Sequence, residues 1–201
     1  MAFWRRPCTL PHFVVLLSLL AVGSLAATGP GDIAVFWGRN KDEGSLREAC
    51  DTGTYNTILI GFGADGTYTF DLSGHSLASV VGDDIKHCQS KGILVLLSIG
   101  GPTASSNYSL PTPQSAADLA DYLWHAGVPR PFGDAQLDGI DFFITHGGTA
   151  DAKHYADLAR RLHDYNTHYN GGRGIMLTAT AQCAYPDPNL ATEHKQENVA
   201  A

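Results

Sequence analysis

Asp138 and Asp141 are two carboxylates inside the otherwise apolar run Leu137-Asp138-Gly139-Ile140-Asp141-Phe142-Phe143-Ile144. Carboxylates so placed either move protons as general acids and bases or stay put as buried acceptors in a polar network. Arg173 lies in the Gly-rich stretch Tyr169-Asn170-Gly171-Gly172-Arg173-Gly174. A guanidinium presented from such a loop can grip a carboxylate through two parallel hydrogen bonds; the plain alternative is a solvated turn arginine. Asn107-Tyr108-Ser109 is an N-glycosylation acceptor triplet. Cys50, Cys88 and Cys183 carry thiols whose fate depends on the compartment.

The first residues decide that compartment. Arg5 and Arg6 form a basic start, Phe13 to Leu20 reads FVVLLSLL, and Ser24-Leu25-Ala26 places small residues where a signal peptidase cuts. Residues 1–26 therefore read as a secretory signal, too short in its apolar part to span a bilayer comfortably. Cys8 leaves with it. In an oxidising compartment a Cys50–Cys88 bridge would close a loop of 38 residues, worth about 3–4 kcal/mol in the chain-entropy account. Cys183 is then left over.

The chain has 13 Lys+Arg against 20 Asp+Glu, a net charge of −7. Removal of 1–26 takes two arginines and no acid, leaving 175 residues at −9. That balance offers no footprint for nucleic acid or an anionic membrane. No later segment approaches the roughly 18 apolar residues of a membrane helix. Neither a cofactor nor a metal is expected.

The elements that must position these groups alternate along the chain. Apolar runs at Ile33–Trp37, Thr57–Phe62, Gly92–Ile99, Leu137–Ile144 and Ile175–Ala181 read as strands. Between them, residues 45–50 with Ser45 as N-cap, His75–Ser90, Ser115–Trp124 and Ala150–His168 read as helices. Leu77, Val80, Val81 and Ile85 mark one apolar stripe, and Tyr155, Leu158, Ala159 and Leu162 another. Continuous rather than alternating apolar strands indicate a parallel sheet covered on both faces. The fold class is α/β in one domain, a barrel or a doubly wound sheet.

Four segments carry a resemblance: Ile33-Ala34-Val35-Phe36-Trp37-Gly38-Arg39-Asn40, Leu97-Ser98-Ile99-Gly100-Gly101, Leu137–Ile144, and Leu177-Thr178-Ala179-Thr180-Ala181-Gln182-Cys183 with Pro186-Asp187. In order and spacing they resemble the plant branch of glycoside hydrolase family 18, which contains the class III chitinases. The resemblance runs from about Asp32 to Leu190 and implies a (β/α)8 barrel with its chemistry at the carboxyl ends of the strands. Active members read D-G-x-D-x-D-x-E along the fourth strand. The last Glu protonates the glycosidic oxygen, and the Asp before it orients the substrate's N-acetyl group, which acts as nucleophile. By that resemblance Asp138 and Asp141 match the first two acids, all four positions lining the barrel interior. Phe143 stands at the orienting Asp and Thr145 at the general acid. A threonine hydroxyl cannot deliver that proton, and loss of a general acid costs about 10²–10⁴ in rate. His146 points to the face opposite Thr145 and is no substitute. The reading is therefore non-hydrolytic, with Asp138 and Asp141 as structural carboxylates.

Phe36-Trp37-Gly38-Arg39-Asn40, Asp71-Leu72-Ser73-Gly74-His75 and Pro129–Ala135 are similar to the cereal xylanase inhibitor proteins of that branch, non-hydrolytic proteins that block microbial endo-xylanases. They too carry Phe at the position of Phe143 but mostly keep the terminal acid, from which Thr145 departs. The resemblance implies a secreted, apoplastic defence protein whose partners are microbial xylanases. Its inhibitory loop would lie at Asn170, in the family's arginine position, with Arg173 the nearest cation. Two alternatives stand beside it: a chitin-oligosaccharide binder using Trp37 and other aromatics as sugar platforms, and a chitinase. After Leu190 the resemblance stops. Residues 191–201 are polar and carry no sixth strand, so about five of eight βα units are expected within 27–190, a C-terminally truncated barrel. Its first and last strands would be open edges, prone to aggregation if the chain is made alone.

Overall fold

The computed structural model describes residues 32–63, 72, 75, 78–102, 110–124, 132–145, 148–168 and 174–190. Among these residues there are five strands: β1 (Ala34–Trp37), β2 (Thr57–Gly63), β3 (Leu94–Gly100), β4 (Gly139–Phe143) and β5 (Met176–Ala179). Four helices alternate with them: α1 (Leu46–Asp51), α2 (Ala78–Ser90), α3 (Pro113–Trp124) and α4 (Gly148–His168). All pairings are parallel, and the strands lie side by side in chain order β1-β2-β3-β4-β5.

That order settles the barrel question. A doubly wound sheet reverses its strand order and carries helices on both faces. Here each strand pairs with the next, and one apolar cluster joins every helix to a single face of the sheet. Ile58, Ile60, Val95, Leu97, Ile99, Ile140 and Phe142 meet Leu46 of α1, Ile85 of α2, Leu119 and Leu123 of α3, and Leu158 and Leu162 of α4. Each fully buried Leu or Ile contributes about 1.5–3 kcal/mol. Leu59 and Leu96 are buried as well but face the other side, in register with Phe36 and Gly139. Helices on one face and a second set of side chains on the other make a barrel-type sheet of five strands.

Local chemistry explains the helix starts. Ser45 caps α1 through a reciprocal capping box: its hydroxyl accepts the Glu48 amide, and the Glu48 carboxylate accepts the Ser45 amide. Those bonds hold the Glu48 carboxyl below its usual range. Helix α3 begins two residues before the expected Ser115. Pro113 suits a first helical position, and Thr112 and Ser115 exchange side-chain-to-amide bonds of 3.1 Å each way. Cys50 of α1 and Cys88 of α2 form a disulfide across 38 residues. Beside it, Asp51 accepts from His87 Nε2 at 2.7 Å and from Lys91. Those partners, Lys91 foremost, depress the Asp51 carboxyl to about 2.

Two expectations change. Val80 is exposed, while Val81 and Ile85 are buried, because α2 turns its 81/85 stripe to the sheet. The strands are also not uniformly covered: Phe36 on β1 and Met176 on β5 are exposed at the two edges of the described sheet. The signal reading of 1–26, Cys8, Leu77, Asn107, His146, Asn170, Arg173 and the tail 191–201 lie outside the described residues.

Candidate functional site

Ser98, Asp141 and Thr178 lie side by side across β3, β4 and β5. Asp141 is 1% exposed, and a carboxylate removed from water needs donors. It has three. Ser98 Oγ donates to Oδ2 at 2.8 Å, and Thr178 Oγ1 to Oδ1 at 2.9 Å. Thr180 Oγ1 sits 3.0 Å from Oδ2 and 3.2 Å from Oδ1. Each of the three hydroxyls is placed to donate to the carboxylate. Asp141 ties three strands together on the face away from the helices.

Asp138 does not join it. The expectation that both carboxylates line the interior fails on the pleat, because residues three apart on a strand face opposite sides. Asp138 is buried at the amino end of β4. Its Oδ2 accepts the Val95 amide at 2.8 Å and Gln89 Nε2 at 3.0 Å. Its own amide donates to the Val95 carbonyl at 2.8 Å. This is a clamp between α2, β3 and β4, remote from the carboxyl ends of the strands.

Phe143 follows Asp141 on the same face, and its ring lies 5.6 Å from that of Phe36 across the sheet, tilted by 33°. The Phe143 carbonyl accepts the Gly101 amide at 2.7 Å. Thr145 Oγ1 donates to the Gly101 carbonyl at 2.9 Å. The end of β4 is thus laced to the end of β3 by a backbone bond and a hydroxyl. Neither Phe143 nor Thr145 carries a group that gives up a proton near neutrality.

Trp37 is no sugar platform. It is 4% exposed, its Nε1 donates to the Gly44 carbonyl at 3.2 Å, and its ring packs 4.4 Å from that of His75. The aromatic on the open face is its neighbour Phe36, because alternation sends the two rings to opposite sides. A grouping that sequence reasoning missed surrounds the loop after β1. Glu43 Oε1 accepts the amides of Gly38 at 2.7 Å and Asn40 at 3.1 Å. His75 Nε2 lies 3.1 Å from the same oxygen. Residues 32 apart in sequence leave no local periodic signal; the only trace was the Ser73-Gly74-His75 stretch itself.

Among the described residues no group of three His, Cys, Asp or Glu side chains is arranged to hold a metal. Among them, too, no helix is long and apolar enough to cross a membrane. The loop candidates Asn170 and Arg173 and the sequon at Asn107 fall outside them. Cys183 is exposed with a free thiol.

The fold and the motif-bearing strand β4 define a glycoside-hydrolase-type barrel sheet. The family model for Glycosyl hydrolases family 18 matches residues 32–200, and the chain belongs to that family. It is 59% identical over 175 residues to xylanase inhibitor protein 2 of Oryza sativa subsp. japonica, covering 82% of this chain and 58% of that protein. It is 40% identical over 190 residues to the acidic endochitinase SE2 of Beta vulgaris, covering 88% of this chain and 62% of the endochitinase. Among solved structures, the xylanase and alpha-amylase inhibitor protein from Scadoxus multiflorus superposes with a TM-score of 0.69 at 46% identity, covering 79% of this chain and 59% of that one. The chain spans about three fifths of the length of these relatives.

Proposed function

We propose that this chain is a secreted, non-hydrolytic family 18 protein that inhibits microbial endo-1,4-β-xylanases in plant defence. The observation that carries the reading is the end of β4. Where the family resemblance places an orienting Asp and a general acid, the chain has Phe143 and Thr145, and the Thr145 hydroxyl is spent on the Gly101 carbonyl. Asp141 is the carboxylate left on that face of β4, and three hydroxyls hold it. Substrate-assisted hydrolysis needs both a proton donor and a group that orients the acetamide, so this arrangement supports binding without turnover. The inhibitor names of the rice and Scadoxus relatives support the target. Residues 1–26 act as the export signal to the apoplast, in keeping with the Cys50–Cys88 disulfide.

Arg173 is the proposed contact, an Arg fork inserted between the catalytic carboxylates of the xylanase, with Asn170 beside it. Arg173→Ala is expected to weaken inhibition at least tenfold; unchanged inhibition removes Arg173 from the interface. A second reading, binding of chitin oligosaccharides, draws on the Phe36–Phe143 pair on the open face. Inhibition of a fungal xylanase, chitin pull-down and chitinase turnover, measured on one preparation, separate the readings. Xylanase inhibition with no turnover is expected, and turnover above background overturns the proposal.

A further inference from the structure

We propose that Phe36, Phe143 and Arg39 form a binding site for acidic sugars, oligosaccharides built of uronic acid rings, on the face of the sheet away from the helices. Phe36 lies on β1 and Phe143 on β4, with β2 and β3 between them, yet their rings are 5.6 Å apart. In a flat sheet three strand spacings hold such positions about 14 Å apart, so the sheet curls toward this face and makes it concave. Small residues floor the hollow, because Gly61 of β2 and Ser98 of β3 pair side by side there. An ideal Cβ on Gly61 would lie 3.7 Å from the Phe36 ring and 3.8 Å from both Cγ and Cδ of Arg39. The Phe36 ring and the Arg39 stem therefore lie together over the bare backbone of β2.

The two kinds of group select the ligand. Phe36 is 40% exposed, and an exposed ring offers an apolar surface to the C–H face of a pyranose. Arg39, partly exposed beside it, supplies the charge. A carboxylate gives a guanidinium two acceptors in matching fork geometry, whereas an N-acetyl group gives it one neutral oxygen. The five N–H donors of a guanidinium let it serve a neighbour in the chain and a ligand together. Asp141 lies on the same face, but it is 1% exposed and held by three hydroxyls. A sugar resting on the Phe36 ring thus meets the guanidinium rather than the acid. This ligand differs from both the xylanase and the chitin oligosaccharide considered above.

Calorimetric titration of the full chain with tetragalacturonate, xylotetraose and chitotetraose tests the site. Tetragalacturonate is expected to bind about tenfold more tightly than either uncharged sugar, the worth of hydrogen bonds to a charged group. Its affinity is expected to fall between about 0.05 and 0.5 M sodium chloride, since the contact is ionic. Arg39→Met keeps the stem over Gly61 and removes the charge, so it is expected to erase the preference for the acidic sugar at an unchanged melting midpoint. Those first two measurements use the wild type alone and stand even if the variant does not fold. No binding of tetragalacturonate, equal or tighter binding of an uncharged sugar, an affinity indifferent to salt, or wild-type preference in a folded Arg39→Met variant overturns the proposal.

Discussion

The Thr145 hydroxyl donates to the carbonyl of Gly101 at 2.9 Å, and that bond joins the ends of β4 and β3 beside the Gly101 amide's bond to the Phe143 carbonyl. A longer acidic side chain at this position would have to leave the backbone and reach over the open face. Thr145 does the reverse: it closes the gap between two strand ends. The end of β4 is thereby fixed to the end of β3 on the open face.

Restoring only the acid is not expected to restore chemistry. Thr145→Glu and the wild type should both release no product from a chitin oligosaccharide between pH 4 and 9, because Phe143 offers the acetamide nothing to orient it. Reducing-end release assays check this. Turnover in the single variant would remove the need for an acid at position 143.

Asp141→Ala should destabilise the protein by about 3 kcal/mol or more, since it leaves the hydroxyls of Ser98, Thr178 and Thr180 without their acceptor. Ser98→Ala, which removes one donor of three, should cost about 1 kcal/mol. Urea titrations of the two variants give the comparison. Equal costs would show that the three donors do not contribute separately.

Gly100 has a φ of +95°, and an added Cβ would lie 2.3 Å from the Phe143 carbonyl oxygen. Gly100→Ala therefore meets both backbone strain and a backbone clash that no rotamer relieves. A loss of about 3 kcal/mol or more is expected, read as a lowered melting midpoint or loss of soluble protein. A wild-type midpoint would mean that β3 and β4 separate freely at this end.

The Asp51 carboxyl is held down to about 2 by Lys91 and His87, from an ordinary value of 3.8. A depressed carboxyl contributes stability that is present above its unfolded value and lost as the pH falls through its folded one. The clasp should therefore persist down to about pH 4 and fade from there to about pH 2. Acid unfolding of Asp51→Asn, which lacks this component, should be flatter across that window, and the difference should shrink in high salt. Parallel acid curves for both proteins would deny the clasp a role.

Much of the fold was legible because buried parallel strands write themselves as apolar runs. Thr57–Phe62 and Leu137–Ile144 needed no more than that, and Ser45 with Glu48 announced the start of α1. What stayed hidden depended on facing. Val80 and Val81 are equivalent in composition, and only the docked helix shows which is buried. Trp37 and Phe36 are adjacent aromatics, and only the pleat assigns one to the core and the other to the open face. The lapse over Asp138 is of the same kind: two acids three residues apart suggested one site, whereas strand geometry places them on different sides. The His75–Glu43 contact was invisible because it joins distant segments through a loop rather than through any periodic element.

The clamp made by Asp138 has a consequence for how such chains are recognised. Its carboxylate holds an amide of β3 and a side chain of α2, so selection on folding alone can preserve the first acid of the motif. If positions 143 and 145 lack the groups for turnover, as proposed above, a chain can still display that part of the signature. The surviving acid then testifies to an intact scaffold and is silent about turnover.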